Sequence, residues 1–170
     1  KLAALIGSSC EEIMAPQGLS VWARAQRTLQ PAEAYATFKP WLDERNPRFA
    51  FSVAKALVTG SMIPESDKVW ANLMRQEVRG RMKYLLPPGT ILCLPTTPFP
   101  APKVGLPLSV LDPLRDRITC LCAQGGLAGH PQVNLPGARV DGAPVGLSII
   151  GGRGTDASLI AVAQAMEAAS

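Results

Sequence analysis

Two blocks constrain this chain more than the rest of it: residues 91–102 (ILCLPTTPFPAP) and residues 126–167 (GLAGHPQVNLPGARVDGAPVGLSIIGGRGTDASLIAVAQAME). In each, an apolar run of strand length is stopped by prolines or glycines. Residues 90–94 are apolar and partly β-branched, the pattern of a buried strand, and Pro95 closes it because proline offers no backbone donor. Residues 132–135 and 145–150 read as two further strands. Asp141–Gly142 between them supplies the positive φ that a tight hairpin needs. Val145, Leu147 and Ile149 alternate with Gly146, Ser148 and Ile150, as in a strand covered on at least one face. Three strands with apolar edges invite pairing, so the sheet is expected to continue in polypeptide outside this sequence.

The remaining pattern is helical. Residues 1–14 begin amphipathically, with a short edge strand expected at residues 10–13. Residues 19–29 and 31–42 read as two helices, Pro31 suiting a first turn and Pro40 disturbing the end. Residues 47–59 read as another, stopped by Gly60. The clearest helix starts at Pro64–Glu65 and ends at Pro87–Gly89. Trp70, Leu73, Met74, Val78, Met82 and Leu85 share one face, and Lys68, Asn72, Arg75, Gln76, Arg79 and Lys83 the other. Residues 95–107 are a proline-rich loop. Asp112–Pro113 reads as the cap and first turn of a helix with Leu114, Ile118, Leu121, Cys122 and Gly125 inward. A last helix starts at Thr155 or Asp156 and buries Leu159, Val162, Ala163 and Met166. The sum is an α/β chain, mainly helical over residues 1–89 and strand–helix over residues 90–170, expected to form one domain.

Composition excludes several functions. At 170 residues and 47% hydrophobic content the chain can bury a core, yet no stretch approaches the roughly 18 apolar residues of a membrane span. It starts at Lys1 without an initiator Met and lacks a signal-peptide pattern, as expected of a fragment or processed product. The net charge is +4, but the densest basic group (Arg75, Arg79, Arg81, Lys83) has no aromatic residues interleaved, so a solvated helix face is expected rather than a nucleic-acid groove. Cys10, Cys93, Cys120 and Cys122 form no CxxC pair, which argues against zinc, and Cys93 reads as a small core residue. Reduced thiols in a cytoplasmic setting are expected.

The order of the blocks resembles the C-terminal part of the amidase signature family. That family shows a strand running into a Pro-Thr-Thr-Pro-like turn and Ala-Pro (here Leu94–Pro98, Ala101–Pro102), then a GLAGLPA-like junction with a short strand (Gly126–Gln132, Val133–Pro136). A DGLPVGLQLIG-like hairpin and a helix opening in GxDxxLL follow (Asp141–Gly151, then Gly154, Asp156, Leu159, Ile160). Residues 1–89 match only in helical style. His130 stands where Leu or Val is common, and Ser148 where Gln is common. The resemblance implies part of an α/β/α sandwich with a mixed central sheet. It also implies hydrolysis of a carboxamide to carboxylate and ammonia or amine by a Ser, a cis-Ser and a Lys, with no metal or organic cofactor. The segments carrying those three residues are not found here, so no catalytic residue is expected in this chain. The implied partners are a small-molecule amide, the missing N-terminal part of the same enzyme and, as an option, a second copy; neither nucleic acid nor membrane is expected.

By position in the family pattern, residues 114–128 lie near the acyl pocket. Thr119 corresponds to an acidic residue of the tRNA-dependent amidotransferase branch that is thought to hold the substrate ammonium. Its lack of charge argues against free glutamine as substrate. Lys55 falls near that branch's carboxylate-binding arginine. Cys120 and Gln124 are neighbours with weaker claims to substrate contact. The plainer alternatives are a helix-packing hydroxyl for Thr119 and an exposed helix lysine for Lys55. Gly7–Ser8–Ser9 reads as a turn or helix end rather than a nucleophile loop. Thr96–Thr97 reads as backbone capping of the turn, and His130 as a polar junction residue. Two readings of the whole remain open beside the amidase: a non-catalytic scaffold or interaction domain, and a fragment of an amidotransferase A-type subunit. A nucleic-acid binder is weaker still.

Overall fold

Strand β3 (Ala143–Gly151) organises the molecule, because it is paired on both sides and covered on both faces. A computed structural model describes residues 7–168. The sheet order is β1-β3-β2, with β1 spanning Ile91–Pro95 and β2 spanning Gln132–Val140. Both pairings are antiparallel, so any parallel pairing of a mixed sheet must involve strands other than these. The β2–β3 hairpin turns at Asp141 (φ 49°) and Gly142 (φ 77°), two positive values in succession, as a two-residue primed turn requires. Both strands run longer than their apolar cores, and a bulge between Pro136 and Ala138 takes up the register.

Five helices complete the described fold: α1 (Leu19–Arg45), α2 (Phe51–Ser61), α3 (Glu65–Leu85), α4 (Leu108–Ala128) and α5 (Asp156–Ala168). Leu94 and Ile150 face a core built with Trp22, Val78, Met82 and Leu127 from α1, α3 and α4. Helix α5 lies on the other face, against β2 and β3, and buries Leu159 and Met166. The expected α/β/α layering follows.

Four helix boundaries depart from the sequence pattern. Residues 19–42 form one helix rather than two, with Pro31 and Pro40 inside it. Pro31 removes one backbone donor, but Leu29 and Ala32 on either side of it are both buried, so packing holds a single axis. Gly60 does not end α2; it lies inside the helix and is buried. A Cβ there would overlap the backbone carbonyl of Pro31, so the glycine permits two helix backbones to touch. Helix α2 also starts at Phe51 rather than Pro47, after an extended Ala50. Helix α4 starts a turn before Asp112, at Leu108. Asp112 is therefore not a cap, and its carboxylate pairs instead with Lys55 (3.5 Å) and Arg115 (3.3 Å).

Three smaller expectations also change. The buried stripe of α3 is Ala71, Met74, Val78 and Met82, while Leu73 points out at 67% exposure. Residues 10–13 form no strand. The Ile13 and Met14 carbonyls accept hydrogen bonds from the Arg81 guanidinium instead of joining a ladder. Cys93 is exposed rather than core. Alternation turns Leu92 and Leu94 toward the helices and Cys93 to the other face, where α5 packs on β2 and β3 and leaves β1 uncovered. Nor is the basic face of α3 simply solvated. Arg75 pairs with Glu33 (2.6 Å), Arg79 donates to the Leu127 carbonyl (3.3 Å), and Arg81 ties down the N-terminal segment. The expected amphipathic start of the chain falls partly on residues outside the described range.

Gly60→Ala is expected to lower unfolding stability by about 1–3 kcal/mol, since the added methyl meets backbone that cannot yield cheaply. Urea denaturation reads this directly. An unchanged midpoint would mean that α1 and α2 are not in backbone contact.

Candidate functional site

The helix-facing side of the sheet is apolar at Leu94 and Ile150 but polar one step away. Ser148 is fully buried in the middle of β3, and the register brings Leu94 and Asn134 beside it, with Gln132 beside Ile150. Residues opposite one another in register point to the same face, so Gln132, Asn134 and Ser148 collect under α4. Thr96, one residue beyond β1, is anchored by its backbone N–H to the Gly146 carbonyl (2.9 Å) and turns its hydroxyl into the same space.

The result is a continuous chain of hydrogen bonds. Gln132 Nε2 donates to Ser148 Oγ at 2.8 Å; Ser148 Oγ and Thr96 Oγ1 are 2.8 Å apart; Thr96 Oγ1 donates to Asn134 Oδ1. The Cys122 thiol of α4 approaches the Thr96 carbonyl at 3.7 Å. Burial pushes the Cys122 thiol up from its ordinary pKa, so it stays protonated as a weak donor rather than a nucleophilic thiolate. Gly146 is the space this cluster needs: a Cβ there would overlap the Asn134 carboxamide and come within 2.9 Å of Thr96 Oγ1.

The residues singled out by resemblance are not gathered into one place. Thr119 lies on α4 with its hydroxyl donated to the Arg115 carbonyl one turn back (2.9 Å). Cys120, beside it, is half-buried. Gln124 is wholly buried; its Nε2 donates to the Leu121 carbonyl, and its Oε1 has no partner among the described residues. An orphaned buried acceptor of this kind costs about 1–3 kcal/mol. Lys55 is on α2, exposed, in its ion pair with Asp112. Thr97 caps its own loop as expected, donating to the Phe99 carbonyl (2.9 Å), but Thr96 does not: its hydroxyl joins side chains. His130 is a junction residue, with Nδ1 3.0 Å from the Gly151 carbonyl. Ser8 and Ser9 are exposed.

Two concavities flank this cluster. One, of about 230 Å³, lies between the proline-rich loop and β3, with Thr96, Phe99, Ile118, Asn134 and Val145 among its walls. The other is an open, mainly apolar groove of about 860 Å³ on the opposite face, between β2 and α5, with Val133, Leu135, Leu147 and Ile160 along it. Among the described residues no group of three or more His, Cys, Asp or Glu could hold a metal ion, and no helix is long and apolar enough to cross a membrane.

No protein-family model matches the chain. It is similar to Amidase 1 of Oryza sativa subsp. japonica, with 27% identity over 154 residues, which is 90% of this chain and 35% of the relative. It is also similar to Amidase 1 of Arabidopsis thaliana, with 22% identity over 144 residues, 85% of this chain and 34% of that one. A crystal structure of an amidase superposes with a TM-score of 0.76 and 28% identity, over 98% of this chain and 39% of the other. The chain thus spans about a third of the length of the first curated relatives it matches, 35% and 34%.

Ser148→Ala is expected to destabilise the chain by about 0.5–1.5 kcal/mol, because it removes the hydroxyl that joins Gln132 Nε2 and Thr96 Oγ1 in the buried centre of β3. Thermal unfolding measures it; a neutral result would show that the cluster carries no weight. Alkylation tests the thiols. Cys10 is exposed and should react first, while Cys122 should react more slowly than in the unfolded chain. A folded-state pKa above the unfolded one favours the fold below the ordinary thiol pKa. That contribution is lost as pH rises through the folded value, so a titration into the alkaline range should loosen the packing of Cys122. Equal rates for Cys122 in folded and unfolded chain would contradict the burial.

Proposed function

We propose that this chain, which is related in sequence and in fold to the amidase signature enzymes, is part of a hydrolase that cleaves a carboxamide C–N bond to a carboxylate and ammonia or an amine. What carries the reading is that nearly the whole chain superposes on one portion of a solved amidase while sharing sequence with it. In the proposed mechanism a serine attacks the carbonyl, a cis-serine relays protons and a neutral lysine acts as base. These three are assigned to polypeptide outside this sequence. The state of the chain's own buried serine supports that assignment: the Ser148 hydroxyl is engaged by Gln132 and Thr96.

The chain's part is then scaffold and one wall of the acyl pocket, as a portion of a single amidase domain. We assign substrate contact to the α4 segment holding Thr119, Cys120 and Gln124, with Lys55 as a candidate for a substrate carboxylate. The orphaned Gln124 Oε1 supports a role for that segment, because such an acceptor calls for a donor. The uncharged Thr119 favours a small-molecule amide over free glutamine. The N-terminal part of the enzyme would pair with the open sheet edges and cover the groove between β2 and α5, and a homo-oligomer is compatible with the same surfaces. The mechanism calls on no metal or organic cofactor, nucleic acid or membrane. The four free cysteines support a cytoplasmic location. One feature favours the alternative of a non-catalytic interaction domain: Phe38, Trp41 and Phe49 form an edge-to-face aromatic cluster at the surface, with centroids 6.5 and 6.1 Å apart.

The test is a chimera in which this chain replaces the corresponding segment of rice Amidase 1. It is expected to hydrolyse amides, whereas this chain alone neither turns over amides nor reacts with a serine-directed fluorophosphonate. Labelling of the chain alone would place the nucleophile here and overturn the assignment. A folded but inactive chimera would favour the interaction domain.

A further inference from the structure

Residues 7–13 are exposed and belong to no helix or strand, and one side chain holds the end of this stretch to the molecule. Arg81, in the last turns of α3, donates from Nε to the Met14 carbonyl (3.3 Å). From Nη2 it donates to the Ile13 carbonyl and to the Glu12 carboxylate (3.2 Å). Among the described residues, these are the hydrogen bonds that join residues 7–14 to the body of the protein. We propose that this stretch is a strap that leaves and rejoins the surface as one unit, with Arg81 as its latch and Ala15 as the point where release stops.

The latch is fixed where the strap is not. Met82, next to Arg81, is wholly buried in the helical core, and the Arg81 guanidinium stands 4.9 Å from the centroid of the Tyr84 ring. Ile13 is 72% exposed, so no apolar anchor supplements the guanidinium ahead of Met14. Ala15 is buried, and its carbonyl accepts from the Gly18 N–H (2.9 Å), which ties the chain down from that residue onward. Three successive residues hang on one planar group, so their contacts form and break together. The contacts differ in weight. The Glu12 pair is an exposed ion pair and contributes little. The two carbonyls carry the hold, and on opening they pass to water while the core stays intact, which makes the opening local. A lysine at this position offers one compact ammonium and cannot span the same three acceptors. On the hydrolase reading, the N-terminal part of the enzyme reaches this scaffold through the strap, so the latch sets the direction of that connection. This consequence rests on that reading; the strap itself does not.

Glutamyl endopeptidase tests the device, with each cut followed by mass spectrometry. In the wild-type chain, cleavage after Glu11 is expected to change little with urea below the unfolding transition. Cleavage after Glu77, inside α3, should rise with the denaturant slope of global unfolding. Arg81→Gln is expected to speed cleavage after Glu11 by about tenfold with no comparable change after Glu77. Arg81→Lys should follow it most of the way, and Glu12→Gln should stay within about twofold of wild type. Equal rates after Glu11 in wild type and in both Arg81 variants would overturn the proposal. So would wild-type cleavage after Glu11 that follows the same denaturant slope as cleavage after Glu77, a result that needs no variant to fold. Acceleration of both cuts in proportion would also overturn it, because Arg81 would then hold the whole fold rather than the strap. None of these outcomes involves amide hydrolysis, so the hydrolase reading stands or falls by its chimera alone.

Discussion

The structure depends on the pairing of β3 with two neighbours at once. Five positions of β1 and eight of β2 are in register with it, so its second half, residues 147–151, has a neighbour on each edge. Its side chains then divide two layers: Ile150 packs with the core of α1, α3 and α4, and Ile149, wholly buried, faces the other way. Fully burying a side chain of this size contributes about 1.5–3 kcal/mol. Both layers draw on one strand, Ile150 joining the helical core on one face and Ile149 the packing on the other. The long first helix and the last one lie far apart in the sequence and pack on opposite faces of this sheet.

The same strand explains why polar chemistry sits where it does. A buried hydroxyl in the centre of a sheet is tolerable only when its partners are supplied, and the register supplies them from β2 and from the residue that follows β1. The network is therefore a product of pairing geometry rather than of any local motif. The apolar groove on the other face and the outer edges of β1 and β2 lack such partners among the described residues. Surfaces of this kind agree with a chain that corresponds to about a third of its relatives' length.

What the sequence made legible was local. Asp141–Gly142 specifies a hairpin through backbone conformation alone, and the stripe of α3 repeats often enough to place Met74, Val78 and Met82 inside. What it hid was decided at a distance. Pro31 looks like a helix boundary until the burial of Leu29 and Ala32 is seen, and Gly60 looks like a stop until the carbonyl of Pro31 is found against it. Cys93 reads as core because its run is apolar, but coverage of that face depends on where α5 packs. The four residues nominated for substrate contact came from family resemblance, and the structure leaves them dispersed over α2 and α4. The polar cluster was missed, although one signal pointed to it: Ser148 is the polar residue within an otherwise apolar strand, and such a residue needs partners.

Native-state hydrogen exchange tests the central role of β3 most directly. The amides of Leu147, Ser148, Ile149 and Ile150 are expected to exchange only through global unfolding, at the free energy and denaturant slope of the whole chain. Those of Ala138–Val140, beyond the bulge on β2, should open locally at lower cost. Exchange of the β3 amides by local opening, well below the global free energy, would show that the layers hold together without this strand and would contradict the account.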